Sequence, residues 1–396
     1  MPEISVTRSV SLPDQLRIER SLSEPELGPR LLFFSGGTAL NGIAQSLKRY
    51  THNSVHLVTP FDSGGSSQAL RKAFDMPAIG DLRSRLMALA DETVLGHPDI
   101  FRLFTHRFEK GIRPDLLLSE LDGLVGGTHP LVSAIEQPMR SLIVNQLTVF
   151  RDAKPDDFDL SGASVGNLIL AGGYLSQQHQ LEPIIFLVAK LVGVRGIVRA
   201  VVDDNLHLGA ELDNGSRIIG QHLITGKEHA PLPSPIRRIF LNGDASRLAP
   251  ASAIFSDRNA NLVQTADLIC FPPGSFYSSV LANLLPAGVG SAIAGRKVPK
   301  VYIPSLGHDP EAADLDVIGK VDKLVDAMRQ DAGPKCPVPD LLNFVVLDEK
   351  TGESNKSVSA RLLERGIMPI WGDLVSETSD PFYDPGQICD VLISLT

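Results

Sequence analysis

Glycines, hydroxyls and one acid crowd into the stretch Asp62-Ser63-Gly64-Gly65-Ser66-Ser67. Paired glycines let backbone amides turn toward an anion, and the serine hydroxyls add donors, so this loop can cradle phosphate oxygens. Asp62 could hold Mg2+, serve as a base, or hydrogen-bond a ribose or a base ring. The plainer alternative is a Ser/Gly turn with Asp62 capping a helix. Two other stretches share the character: Ser35-Gly36-Gly37-Thr38, and Pro272-Pro273-Gly274-Ser275-Phe276-Tyr277-Ser278-Ser279. Gly36, Gly37 and Thr38, ahead of a helix start, are expected to form an anion site. Gly64, Gly65, Ser66 and Ser67, with Gly274, Ser275 and Ser278, are expected to hold phosphate. None of these loops reads GxGxxG or GxxxxGK[ST], so any one alone could be an ordinary tight turn. Three of them, each after a strand, point to a shared site.

Other motifs carry less. Gly162-Ala163-Ser164-Val165-Gly166 matches GxSxG. A nucleophile elbow needs a hydrophobic strand just before it, and the polar run DDFDLS stands there instead. Ser164 and Gly166 read better as the start of a helix. The ten histidines are scattered, with no HExxH or HxH pair, so a zinc or iron site built from them is not expected. Arg71, Arg83 and Arg85 could each pair with a phosphate, or lie on solvated helix faces. Asp81 is most simply a helix cap.

The elements that must position these loops alternate. Leu31-Leu32-Phe33-Phe34 is a short apolar run of the kind found in buried parallel strands, and helical spacing follows at Ala39, Leu40, Ile43, Ala44 and Leu47. A strand at Val55–Thr59 leads into the second loop, and one at Leu268–Phe271 into the third. Loops at strand carboxyl ends are where open parallel sheets bind ligands. The pattern predicts a three-layer, Rossmann-like α/β fold with a mainly parallel sheet. Residues 80–155 read as a helical insertion. Residues 196–224, with the turn signal Asn214-Gly215, read as a β-meander that makes the sheet mixed. A helix is expected over about 250–258. Residues 1–29 are expected to form an arm or edge hairpin, and 30–396 a single domain.

Composition sets limits. The chain has 396 residues, 43% of them hydrophobic, which is ample for a full core. Its net charge of −9 argues against a nucleic-acid surface. Three cysteines without CxxC spacing argue against a disulfide framework and favour a reducing, cytoplasmic setting. No apolar run approaches the roughly 18 residues of a membrane span, and no signal-peptide core is visible at the start.

The run VTPFDSGGSSQALRKAFDMPAIGDLRSRLMALAD (58–91) resembles the family that includes CofD and the YvcK-type proteins. Its members read close to V-T-x-x-D-D-G-G-S-S-x-x-L-R, then P-x-G-D-x-R. Further matches fall in order at Gly36-Gly37-Thr38 with Leu40, at Ser164-Val165-Gly166-Asn167-Leu168, at 206–220, and at Pro273–Ser279. The resemblance spans about residues 30–305 and marks a divergent branch. The family's paired acids are Asp62-Ser63 here, its G-P-G-S is Pro272-Pro273-Gly274-Ser275, and residues before 30 and beyond about 330 match neither subgroup. The resemblance implies a Mg2+-assisted transferase that moves a 2-phospho-L-lactate-like group from a guanylyl diphosphate donor to an acceptor hydroxyl. The alternative is a regulatory protein that binds a UDP-sugar without turnover. It further implies a GDP- or UDP-type ligand, Asn167 reading the nucleotide, and a homodimer.

Overall fold

β1 (Leu31–Ser35) is buried at every residue. Alternate side chains leave opposite faces of a strand, so Leu32 and Phe34 enter one core while Leu31 and Phe33 enter another. Both faces are therefore covered, which is why the sequence is continuously apolar instead of alternating. A computed structural model describes residues 9–93, 96–226, 232–350 and 355–396.

The remaining strands are β2 (Val55–Val58), β3 (Ile197–Ala200), β4 (His207–Leu212), β5 (Arg217–Ile219), β6 (Ile236–Asn242), β7 (Leu268–Phe271), β8 (Lys300–Tyr302), β9 (Phe344–Asp348) and β10 (Met368–Gly372). Seven form one sheet in the order β10-β9-β8-β7-β1-β2-β3, and every pairing in it is parallel. β1 lies between β2 and β7, with Leu32 opposite Val55 and Ile269. The chain builds outward from β1 in one direction through β3 and later in the other through β10. The boundary between β1 and β7 is thus a topological switch point, where a crevice opens at the carboxyl ends.

One face carries helices Val317–Ala332 and Asn355–Glu364 and the small sheet β5-β4-β6. The other carries Asn41–Leu47, Pro385–Ser394 and Gln15–Ser23. A separate apolar cluster joins helices from Gly80–Leu89 to Leu181–Leu191, so the helical block runs past the expected 155 up to β3. Helices Met139–Ala153 and Val165–Ser176 touch backbone to backbone there, because a Cβ at Gly172 would lie 1.9 Å from the Gln146 carbonyl oxygen.

Three local expectations are corrected. The expected meander splits: β3 joins the parallel sheet, and β6 completes the antiparallel one around the β4–β5 hairpin, so the main sheet is not mixed. The described part of the N-terminal segment forms a helix, Gln15–Ser23, and not a hairpin. Asp14 caps it, and it docks on the last helix through the Asp14 amide, which donates to Ser394 Oγ at 2.7 Å. Residues 1–8 of that segment lie outside the described residues. The helix expected near 250–258 starts only at Asp257, where Ser256 caps it, and runs to Gln264. Among the described residues no helix is long and apolar enough to cross a membrane.

Candidate functional site

The turn after β1 is drawn tightly against its neighbours. A Cβ at Gly36 would lie 2.4 Å from Thr59 Oγ1, and Gly37 takes a left-handed φ of 62°, so each position favours glycine. The Gly37 amide donates to Asp81 Oδ2 at 2.7 Å. Asp81 sits in the first turn of helix Gly80–Leu89 and reaches back across the crevice, while the capping position belongs to Ile79.

The turn after β2 folds around Asp62, whose Oδ1 accepts from the Gly64 amide at 3.0 Å. Ser63 turns away to the small sheet: its Oγ accepts from the His222 amide at 3.1 Å and lies 2.7 Å from His222 Nδ1. Arg71 braces the loop from beneath. Its Nη1 donates to the Asp62 carbonyl at 3.2 Å and its Nη2 to the Leu206 carbonyl at 2.6 Å. Burial pulls this guanidinium down to about 10, and Arg83 and Arg85 are lowered by burial to about the same value.

The turn after β7 is tied to the segment that follows β8. Gly274 donates its amide to Ser305 Oγ at 2.9 Å. The amide of Phe276 donates to Asp309 at 2.7 Å, and those of Tyr277 and Ser278 donate to Glu311 at 3.1 and 2.8 Å. The Ser278 hydroxyl also donates to Glu311, at 2.5 Å. These helix-start amides, an anion site by geometry, are therefore occupied by the protein's own carboxylates.

A cavity of about 950 Å3 opens between the three turns at the switch point. It takes in Gly36, Gly37, Thr38, Asp62, Gly64, Gly274 and Ser275. Gly65, Ser66, Ser67, Asn167 and Ser278 are not on its lining. Ser67 is buried beneath Gly80, and Ser66 accepts from Asn167 Nδ2 at 3.2 Å behind the wall. The structure also places on the lining Asp81, expected as a helix cap, together with His222, Ser305, His308, Asp309 and Asp384. The sequence signals for Asp81 are an acid at a helix start and the Asp of the P-x-G-D-x-R pattern.

The described lining holds Asp62, Asp81, Asp309 and Asp384 and no lysine or arginine. An anionic ligand there needs a cation to offset these carboxylates. The donors are hard oxygens, which fits Mg2+ and does not suit a soft metal. Among the described residues, the grouping of three metal-ligand side chains with their atoms all within 4.8 Å is His106–Glu120–His129, which lies in the helical block and away from the cavity. There His106 Nε2 lies 2.7 Å from Glu120 Oε1, and His129 Nδ1 accepts from the Leu131 amide at 3.2 Å, which leaves the His129 proton on Nε2, 3.9 Å from Glu120.

A doubly covered parallel sheet with glycine turns and carboxylates around a switch-point cavity defines a Rossmann-like α/β protein with a candidate ligand site at that cavity. The chain belongs to the CofD family: the model of 2-phospho-L-lactate transferase CofD matches residues 31–377. The match continues well past 330, where the sequence reading found no likeness. A putative gluconeogenesis factor of Thermoanaerobacterium thermosulfurigenes is 30% identical over 298 residues, covering 75% of this chain and 74% of that protein. The gluconeogenesis factor of Listeria monocytogenes is 30% identical over 304 residues, covering 76% and 72%. A crystal structure of a UPF0052-family protein from Bacillus halodurans shares the fold, with a TM-score of 0.65 at 24% identity, over 92% of this chain and 99% of that one.

Proposed function

We propose that the cavity binds a nucleoside-diphosphate-linked ligand together with Mg2+ and supports transfer of its phosphorylated group to an acceptor hydroxyl. The observation that carries this is the convergence of the three glycine turns with Asp62 and Asp81 on one cavity. Asp62 and Asp81 are the residues to hold the cation, which when bound neutralises charge on the pyrophosphate. The acceptor oxygen forms a bond to the phosphorus of the transferred group as the bond to the nucleoside monophosphate breaks. The hydroxyl proton leaves to Asp62 or to solvent. The turns around Gly37 and Gly64 orient the diphosphate. This reading carries with it a homodimer, which the resemblance implies, in the cytoplasmic setting expected from the cysteine usage.

The second reading is a nucleotide-sugar-binding regulator without turnover. Two observations favour it: the relatives named gluconeogenesis factor, and Ser63 standing where the family pattern has a second acid. Incubation with GDP-linked and UDP-linked donors, with and without Mg2+ and across a panel of acceptor alcohols, separates the two. Mg2+-dependent release of GMP or UMP supports transfer. Saturable binding with no release supports the regulator.

A further inference from the structure

The far wall of the cavity comes from a part of the chain beyond the family match, which ends at residue 377. Thr378, Ser379, Phe382, Tyr383, Asp384 and Pro385 all line it. Hydrogen bonds fix this turn from several sides. The Phe382 amide donates to the Ser379 carbonyl at 2.7 Å, and Ser379 Oγ donates to the Phe382 carbonyl at 2.8 Å. Tyr383 Oη donates to the Pro304 carbonyl at 3.0 Å, and the Asp384 amide donates to the Leu374 carbonyl at 2.8 Å. Asp384 then caps the last helix through the Gly386 and Gln387 amides. The turn is therefore rigid on both sides of Phe382.

Phe382 itself is 65% exposed, although it lies on the cavity wall. Its ring edge lies against the backbone of Gly307, where a Cβ would come 3.7 Å from Cε1. A large aromatic on a hydrogen-bonded turn, left open to the cavity, offers an apolar face to whatever enters. At the three turns the lining is glycine, serine and carboxylate, which suit phosphate and metal. Leu306 and Pro310 add apolar surface beside Phe382 and Tyr383, and of these Phe382 is the large ring left exposed.

We propose that Phe382 is the stacking face for a planar heteroaromatic ring of the bound ligand. The 376–385 turn is then the wall that sets ring specificity in this chain. The proposal rests on the reading that the cavity binds a small ligand. The ring has two possible sources, the base of a nucleotide or a flat acceptor, and aromatic stacking serves both.

The test measures binding to the wild type and to the variants Phe382→Ala and Phe382→Trp. The probes are GDP, UDP and inorganic pyrophosphate, each with Mg2+, and riboflavin as a flat tricyclic alcohol followed by its fluorescence. Phe382→Ala is expected to weaken one ring-bearing probe about tenfold or more, with pyrophosphate unchanged and Phe382→Trp restoring affinity. Loss confined to the nucleotides assigns the ring to the base, and loss confined to riboflavin assigns it to the acceptor. Unchanged affinity for every ring-bearing probe overturns the proposal, as does an equal loss for pyrophosphate. A wild type that binds riboflavin but neither nucleotide nor pyrophosphate defeats the proposed function while leaving Phe382 under test. A wild type that binds no ring-bearing probe overturns both.

Discussion

The Gly37 amide donates to Asp81 Oδ2 at 2.7 Å, closing the turn after β1 onto a helix that starts after β2. This bond joins two glycine-rich segments that are 44 residues apart and places a second carboxylate in the cavity with Asp62.

Asp81→Asn keeps an oxygen able to accept from Gly37 and removes the charge. The fold should survive, with an unchanged far-UV circular dichroism spectrum. Mg2+-dependent nucleotide binding should weaken tenfold or more by calorimetry. Unchanged affinity would remove Asp81 from the cation site.

Glu311 accepts from the buried amides of Tyr277 and Ser278 and from the Ser278 hydroxyl. Glu311→Ala leaves several buried donors unpaired, at about 1–3 kcal/mol for each group left unsatisfied. A fall in unfolding free energy of about 3 kcal/mol is expected in urea titrations. Ser278→Ala should cost less, because the amide bonds remain.

His207 is held neutral into the acid range. Burial and then the neighbouring Arg71 guanidinium pull its pKa from 6.5 down to about 4. Between those values the unfolded chain binds a proton that the folded protein refuses. Stability is therefore full above pH 6.5 and declines as pH falls toward 4, by at most about 1.4 kcal/mol per pH unit for one proton. Buried His56, also shifted downward by burial, adds to the same limb. Urea midpoints measured across pH 4–7 should show this slope. His207→Gln should flatten it, and an unaltered slope would show that His207 is not its source.

Ser63 Oγ ties the loop after β2 to the His222 amide and ring. Ser63→Ala should free that turn, and hydrogen exchange at residues 220–225 should speed up while the parallel sheet stays protected. Equal exchange in both proteins would show that the bond does not hold the turn.

What was legible in the sequence was local. The run Leu31–Phe34 and the glycines at 36–37, 64–65 and 274 state a buried strand, or a turn that follows one, within a few residues. The parallel α/β class and seven of the proposed site residues on one cavity follow from such signals. The N-terminal helix was hidden because its prolines suggest an irregular arm, while docking on Pro385–Ser394 supplies its stability. β10 escaped because Pro369 argues against a strand, yet at a sheet edge the missing amide costs little.

By itself the sequence determined the doubly buried strands and the glycine turns that end them, because strand burial and backbone freedom are properties of neighbouring residues. The tertiary structure alone decided that β1 lies between β2 and β7, because strand order depends on pairing over long stretches of chain. That order brings the three turns to one crevice. It also decided that Asp81, Asp309 and Glu311 take up the turn amides and that Phe382 lines the same cavity, since each is brought there from far away in the chain.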